Sequence, residues 1–253
     1  MYPKLRLLAV TFDTQLDSWE LPNFRAAISQ KVGLQHEWFH NHDNAPTADA
    51  PAPDALDNSE PNLHKRPKFH YRYALIQYKC LFNNPMLLCL HKGVDEAHHF
   101  FSQPDWSLRI GNDTRPMPIK KLELKEFDLH TNHNKTYRIY NWMPLNSEDY
   151  RHFQSLIALS DILHFLQNRL LSHLLSYTEG IDWDIKSTAT ITAKIIEFLP
   201  EHFVTFKGQK MQTFNFIFET NLPIPDMVGL GRGVSHGFGS VRPYAMQPRN
   251  YKK

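Results

Sequence analysis

The order of its segments constrains this chain more than any other feature. Read from the N-terminus, strand-like and helix-like stretches follow as β-α-β-β-(β)-α-β, and a β-helix-β pattern returns in the second half. Leu5 to Thr14 is rich in β-branched and apolar residues and reads as a strand. Leu21 to Val32 reads as a short helix, with Pro22 in its first turn and Gly33 just past its end. Strands are expected over Gln35 to His42, Tyr71 to Leu81 and Pro85 to His91, then a helix over Val94 to Ser102 and a strand at Trp106 to Ile110. Lys121 to His130 and Lys135 to Trp142 read as a hairpin. Ser147 to Tyr177 carries the strongest helical periodicity, with Leu156, Leu159, Leu163, Leu166, Leu170, Leu174 and Tyr177 three or four apart. Asn146 or Ser147 can cap it, and Ser160 with Asp161 marks a second cap where it can break. Strands at Thr188 to Phe198 and Gln212 to Thr220 precede the end of the chain.

The first half is close to a ferredoxin-like fold, and the expected fold class is α+β in two domains, at residues 1–118 and 119–253. Asp43 to about Pro67 interrupts the first of them. With five prolines and repeated Ala and Asp, it cannot bury enough apolar area to offset its ordering entropy, so it reads as a flexible surface insertion. Phe214, Phe216 and Phe218 alternate along a strand; a buried face shared with Phe198, Phe203 and Phe206 is expected, with base stacking as the alternative.

Charge is uneven along the chain. The formal net charge is +2, yet Asp43 to Glu60 holds five acidic residues and no Lys or Arg, and without that stretch the body stands at +7. From Gly229 onward there is no acidic residue, while Arg232, Arg242, Arg249, Lys252 and Lys253 are positive, an end that either attracts a polyanion or is a solvated tail. Two cysteines, Cys80 and Cys89, sit in apolar strand-like runs, which suits a reducing cytoplasm and supports neither a disulfide framework nor a cysteine zinc site. No apolar run approaches the ~20 residues that span a bilayer, so neither a membrane segment nor a signal peptide is expected.

Two constellations could carry chemistry. Gly229, Gly231, Gly233, Gly237 and Gly239 place five of ten glycines within eleven residues, with Arg232, His236 and Arg242 among or after them. Such a loop can turn N–H groups toward phosphate oxygens, or can simply be structural. It is neither a Walker loop nor a dinucleotide fingerprint. The second is Trp38-Phe39-His40-Asn41-His42: on a strand, His36, Trp38, His40 and His42 would share one face, and imidazoles titrate near neutrality, so two can take and give protons in one reaction. A His-x-His pair can also hold zinc, given a third ligand such as His70 or His130.

Together these residues resemble a known family. The end Asn221-Leu-Pro-Ile-Pro-Asp-Met-Val-Gly-Leu-Gly-Arg-Gly-Val-Ser-His-Gly-Phe-Gly239 resembles the glycine-rich C-terminal signature of the CRISPR repeat-processing endoribonucleases, specifically the subfamily called Cas six type b. Phe39-His40-Asn41-His42, Tyr71-Arg72-Tyr73-Ala74-Leu75-Ile76-Gln77-Tyr78-Lys79 and Trp142-x-x-Leu145-Asn146-x-x-x-Tyr150 resemble its other blocks, in the same order. The resemblance implies a tandem ferredoxin-like protein that cuts CRISPR precursor RNA once per repeat. It implies no metal or other cofactor, a 2′-hydroxyl nucleophile, and 2′,3′-cyclic phosphate and 5′-hydroxyl ends. The catalytic groups map to His40, His42 and either Tyr71 or Tyr73; the long insertion and Ala74, where a proline is typical, leave both tyrosines open. Arg72, Lys79, Arg232 and Arg242, with Gly229, Gly231, Gly233, His236, Gly237 and Gly239, are the expected RNA-binding residues. Arg232 stands where a lysine is typical, keeping the charge. Repeat RNA is the expected partner, with other CRISPR effector subunits or a second copy of the chain besides. Two competing readings remain: a non-cleaving repeat-RNA-binding subunit of an effector complex, and a histidine-zinc hydrolase unrelated to RNA.

Overall fold

A computed structural model of the chain describes residues 2–33, 35–40, 72–131, 133–185, 189–206 and 208–245. Its first unit runs β1 (Lys4–Phe12), α1 (Leu21–Val32), β2 (Ile76–Leu81), β3 (Asn84–Leu90), α2 (Lys92–Glu96), α3 (His98–Phe101), a small ribbon β4 (Leu108–Ile110) and β5 (Asp113–Arg115), and β6 (Ile119–Asp128). The four long strands form an antiparallel sheet in the order β2-β3-β1-β6, the arrangement of a ferredoxin-like β-α-β-β-α-β unit. The second unit runs β7 (Lys135–Trp142), α4 (Ser147–Ser155), α5 (Leu159–Gly180), β8 (Ala193–Phe206), β9 (Gln209–Thr220) and β10 (Ser240–Pro243), in sheet order β10-β7-β9-β8. It repeats the same topology, with residues 221–239 where the second helix of such a unit would lie; within them only Val234–His236 makes a short 3-10 turn. The fold class is that expected.

Local signals placed several elements well. α1 spans Leu21–Val32 with Pro22 in its first turn and Gly33 closing it at φ +97°. Asn146 caps α4: its side chain accepts from the N–H groups of Glu148 and Asp149, both at 2.8 Å, and Asp149 answers the Asn146 N–H. The long helix does break, at 156–158, so that Leu166, Leu170, Leu174 and Tyr177 of α5 form its buried stripe while Leu159 is exposed.

Four expectations need correction. Lys121 to His130 does not form a hairpin with Lys135 to Trp142. β6 pairs with β1 from Lys4↔Asp128 to Phe12↔Ile119, whereas β7 pairs with β9 and β10 in the other sheet. A domain boundary at 118/119 would therefore detach a strand from its own sheet. β6 suits that edge position: Lys121 and Lys125 flank Glu123 at 2.8 and 2.9 Å along it. Second, Gln35 to His40 is not a strand, because Glu37–Phe39 is a single 3-10 turn. The N–H groups of Phe39 and His40 bond to the carbonyls of His36 and Glu37, so the alternating histidine face does not exist there. Third, the strand expected at Thr188 to Phe198 runs from Ala193 to Phe206 instead. Fourth, Phe214, Phe216 and Phe218 are buried as expected, but Phe198 and Phe203 are 40% and 54% exposed, and Phe206 packs against Phe238 outside that core.

Both faces of the first sheet are covered over β2 and β3, so that β3 is buried along its whole length, while edge strand β6 stays largely exposed. Val10, Phe12, Ile76, Tyr78, Leu87 and Cys89 face α1 and α3 in one core. Leu5, Leu7, Leu75, Leu88 and Leu90 belong to the other, continuous with Trp142, Leu170, Leu174, Tyr177 and the phenylalanines of β9. The two units thus share a hydrophobic seam, and residues 221–239 run along it. The cysteines are unpaired thiols, Cys89 buried. Among the described residues no helix is long and apolar enough to cross a membrane.

Candidate nucleic-acid interface

A cleft of about 310 Å³ opens on the seam, bounded by Arg72 to Ala74 before β2, His173 and Ser176 of α5, and Gly231 to Ser235. A second depression of about 390 Å³, walled by Met143, Phe206, Met211 and His236, shares Arg232, Gly233 and Ser235 with it. No carboxylate lines either, and Arg72 and Arg232 are the permanently charged groups. Such a surface attracts a polyanion.

The walls are fixed by hydrogen bonds between the units. The Gly229 N–H donates to Gln77 Oε1 at 2.9 Å, and its carbonyl accepts from the Tyr73 hydroxyl at 2.7 Å. The Arg232 N–H donates to the Met143 carbonyl, and its Nη1 donates to the Leu145 carbonyl at 2.9 Å, leaving the rest of an exposed guanidinium in the cleft. Gly231 lies at φ +92°, and a Cβ there would stand 2.8 Å from Trp142 Nε1, so the loop needs glycine to pass over the indole. Gly237 and Gly239 are packed likewise, against Leu21 and the Leu230 carbonyl. The clustered glycines therefore serve close packing of the loop onto the two units, with Gly231 and Gly233 also facing the cleft.

The expected site residues fall into distinct places. His40 is only 6% exposed and ends the Glu37–Phe39 turn. That turn is pinned by its carbonyls: Arg25 Nη2 donates to His40 at 2.7 Å, and Ser29 Oγ and Tyr78 Oη donate to Phe39 at 3.0 and 3.3 Å. Arg72 connects the turn with the cleft. Its Nη1 pairs with Glu37 at 3.1 Å and its guanidinium covers the Trp38 ring at 3.8 Å, while Nε and Nη2 find no partner among the described residues. Tyr73 contributes part of the wall, but its hydroxyl also accepts from Gln77 Nε2 at 3.0 Å, and burial pushes its phenol pKa up. His42 and Tyr71 lie outside the described residues. His236 stacks edge-on against Phe206. Arg242 is paired with Asp226 at 3.0 Å, in a separate groove with Arg138 and Tyr140.

Lys79 is placed otherwise than a surface cation. It is 1% exposed, its Nζ donates to Ser240 Oγ at 2.9 Å across the seam, and burial pushes its pKa down from the ordinary 10.5 to about 7. The short strand β2 has both faces covered, which sequence periodicity alone does not show. Below pH 7 the ammonium is protonated in both states and its burial costs stability. Between about 7 and 10.5 the folded chain has shed the proton, unfolding takes one up, and stability rises with pH. The unfolding free energy should therefore gain up to about 1.4 kcal/mol per pH unit above neutrality from this group. Urea unfolding of wild type and Lys79→Met across that range checks this, since the variant should lack the gain.

One cleft residue had no signal in the sequence. His173 sits on α5 beside the buried leucines, where its spacing reads as core; Trp142 Nε1 donates to its Nδ1 at 3.1 Å. Burial, then Arg169, pushes its pKa down to about 4, so it faces the cleft neutral.

Comparison with known proteins gives a consistent answer. The model of the Cas6b N-terminal domain matches residues 57–128 and that of the Cas6b C-terminal domain residues 129–244, meeting where β6 ends. An uncharacterized protein of Methanocaldococcus jannaschii is 31% identical over 121 residues, 48% of this chain and 80% of that protein. A crystal structure of Cas6b shares the fold with a TM-score of 0.76 at 23% identity, over 96% of this chain and all of that one. A crystal structure titled CRISPR RNA processing endoribonuclease Cas6b gives 0.66 at 18% identity with the same coverage. With two consecutive domain models covering most of its length, the chain belongs to the Cas6b family.

Proposed function

We propose that this protein is a metal-independent endoribonuclease that cleaves CRISPR precursor RNA within its repeats. The observation that carries this reading is the acid-free cleft on the seam, with Arg232 on one wall and Arg72 reaching from the other to the turn that ends in His40. In the reaction a base removes the proton of the ribose 2′-hydroxyl, whose oxygen attacks the adjacent phosphorus. The P–O5′ bond breaks, an acid protonates the departing oxygen, and a 2′,3′-cyclic phosphate and a 5′-hydroxyl result. His40 and His42 are the base and acid, and the two arginines offset charge building on the phosphorane. The tyrosine of the site is Tyr71 rather than Tyr73, whose hydroxyl already holds Gly229 and Gln77.

Incubation with labelled repeat RNA tests this. Cleavage should persist in EDTA and vanish when a 2′-deoxy nucleotide precedes the scissile phosphate. Loss of cleavage in EDTA with recovery in zinc would favour the histidine-zinc reading, and tight binding without any product would favour a non-cleaving subunit.

A further inference from the structure

Away from the cleft, a second group of side chains has the composition of a metal site. Glu96 closes α2 and His99 lies in the first turn of α3, three residues on, so both project from one side of the helical corner, His99 Nε2 3.6 Å from Glu96 Oε2. His36, the residue before the Glu37–Phe39 turn, brings its ring centroid to 3.6 Å from that of His99. One donor atom from each of the three lies within 4.8 Å of the others, and all three residues are half-buried. Donor atoms of a tetrahedral site with bonds of about 2 Å stand roughly 3.3 Å apart, within the 4.8 Å that bounds these donors.

The surroundings suit a cation. No lysine or arginine among the described residues pairs with Glu96, leaving its charge to balance a cation. His98 packs on His99 at 3.8 Å between centroids and uses its Nδ1 on the Asp95 carbonyl, which screens the group from one side.

We propose that His36, Glu96 and His99 form a binding site for a first-row divalent cation of the zinc class. Two imidazoles and one carboxylate suit such an ion and not magnesium, and three protein ligands leave one position for water. The ion would fasten the segment that ends in His40 to the α2–α3 corner. None of its ligands lines the cleft, so the ion would take no part in the cleavage step itself, while steadying the turn that carries His40.

The full-length protein, stripped with chelator, is titrated with zinc chloride and separately with magnesium chloride in a calorimeter. One zinc ion should bind per chain at micromolar concentration or below, with no response to magnesium. At a hundredfold excess over Kd the unfolding midpoint should rise by about 5–10 °C. Cobalt(II) should give the intense visible bands of tetrahedral coordination. His36→Ala, His99→Ala and Glu96→Gln should each weaken zinc binding at least about tenfold, one protein ligand being lost, while His164→Ala, at an exposed position on α5, should not. His36 precedes the turn, so its variant keeps the test open if His99→Ala fails to fold. Undiminished zinc binding in the folded His36→Ala protein would assign the ion to others of the fifteen histidines and overturn the proposal. So would millimolar affinity or an unchanged midpoint in wild type.

Discussion

His40→Ala is expected to bind repeat RNA close to wild-type affinity while its single-turnover cleavage rate falls about 10²–10⁴-fold, the usual worth of a positioned general acid or base. The contrast follows from how the turn is held. Arg25, Ser29 and Tyr78 all bond to backbone carbonyls of Phe39 and His40, so removing the imidazole leaves these anchors in place. Arg72 and Arg232, proposed to meet the phosphates, are untouched. Because His40 is buried, the substitution also opens a cavity at a cost of about 1–3 kcal/mol, and thermal unfolding must accompany the kinetics. A variant that stays folded and cleaves at the wild-type rate would remove His40 from the chemistry, and with it the leading account of this site.

The largest effect on stability is expected from Gly239→Ala. Gly239 lies at φ +64°, where an alanine costs about 1 kcal/mol, and its new Cβ would stand 1.8 Å from the Leu230 carbonyl oxygen. That oxygen cannot move freely, because the Leu230 N–H donates to the Gly239 carbonyl at 2.9 Å and the Gly239 N–H donates to the Asn141 carbonyl at 3.1 Å. Relief requires shifting the backbone that joins the loop to β10. A loss of about 4 kcal/mol or more follows, against total stabilities of roughly 5–15 kcal/mol, with a drop in Tm of about 10 °C. Gly208→Ala is the matched control. At φ +74° it carries the same backbone penalty, but nothing lies within 4 Å of its added methyl, so about 1 kcal/mol should be lost. Equal midpoints for the two variants would mean that the loop tolerates displacement and does not fix the cleft wall.

The sequence by itself determined those features whose causes are local. Proline and glycine bracket α1, Asn146 and Asp149 cap α4, period-two apolar runs mark the strands, and the leucine stripe marks α5. The order of these elements pointed to two α+β domains, the family resemblance to their tandem ferredoxin-like form, and the glycine cluster already marked the loop on which the cleft depends. What only the tertiary structure decided is which partner each element meets. β6 reads equally well beside β7 or β1, and the exposed edge of β1 takes it, because strand pairing is settled by main-chain groups far away in sequence. Glu37 to His40 has strand-like composition, yet three side chains from α1 and β2 claim the carbonyls of Phe39 and His40 and hold it in a turn. Lys79 looks like a phosphate ligand and His173 like core; burial at the seam makes the first a neutralised strut and sets the second in the cleft. Charge and exposure depend on what the opposite unit places nearby, and no window of neighbouring residues contains that information.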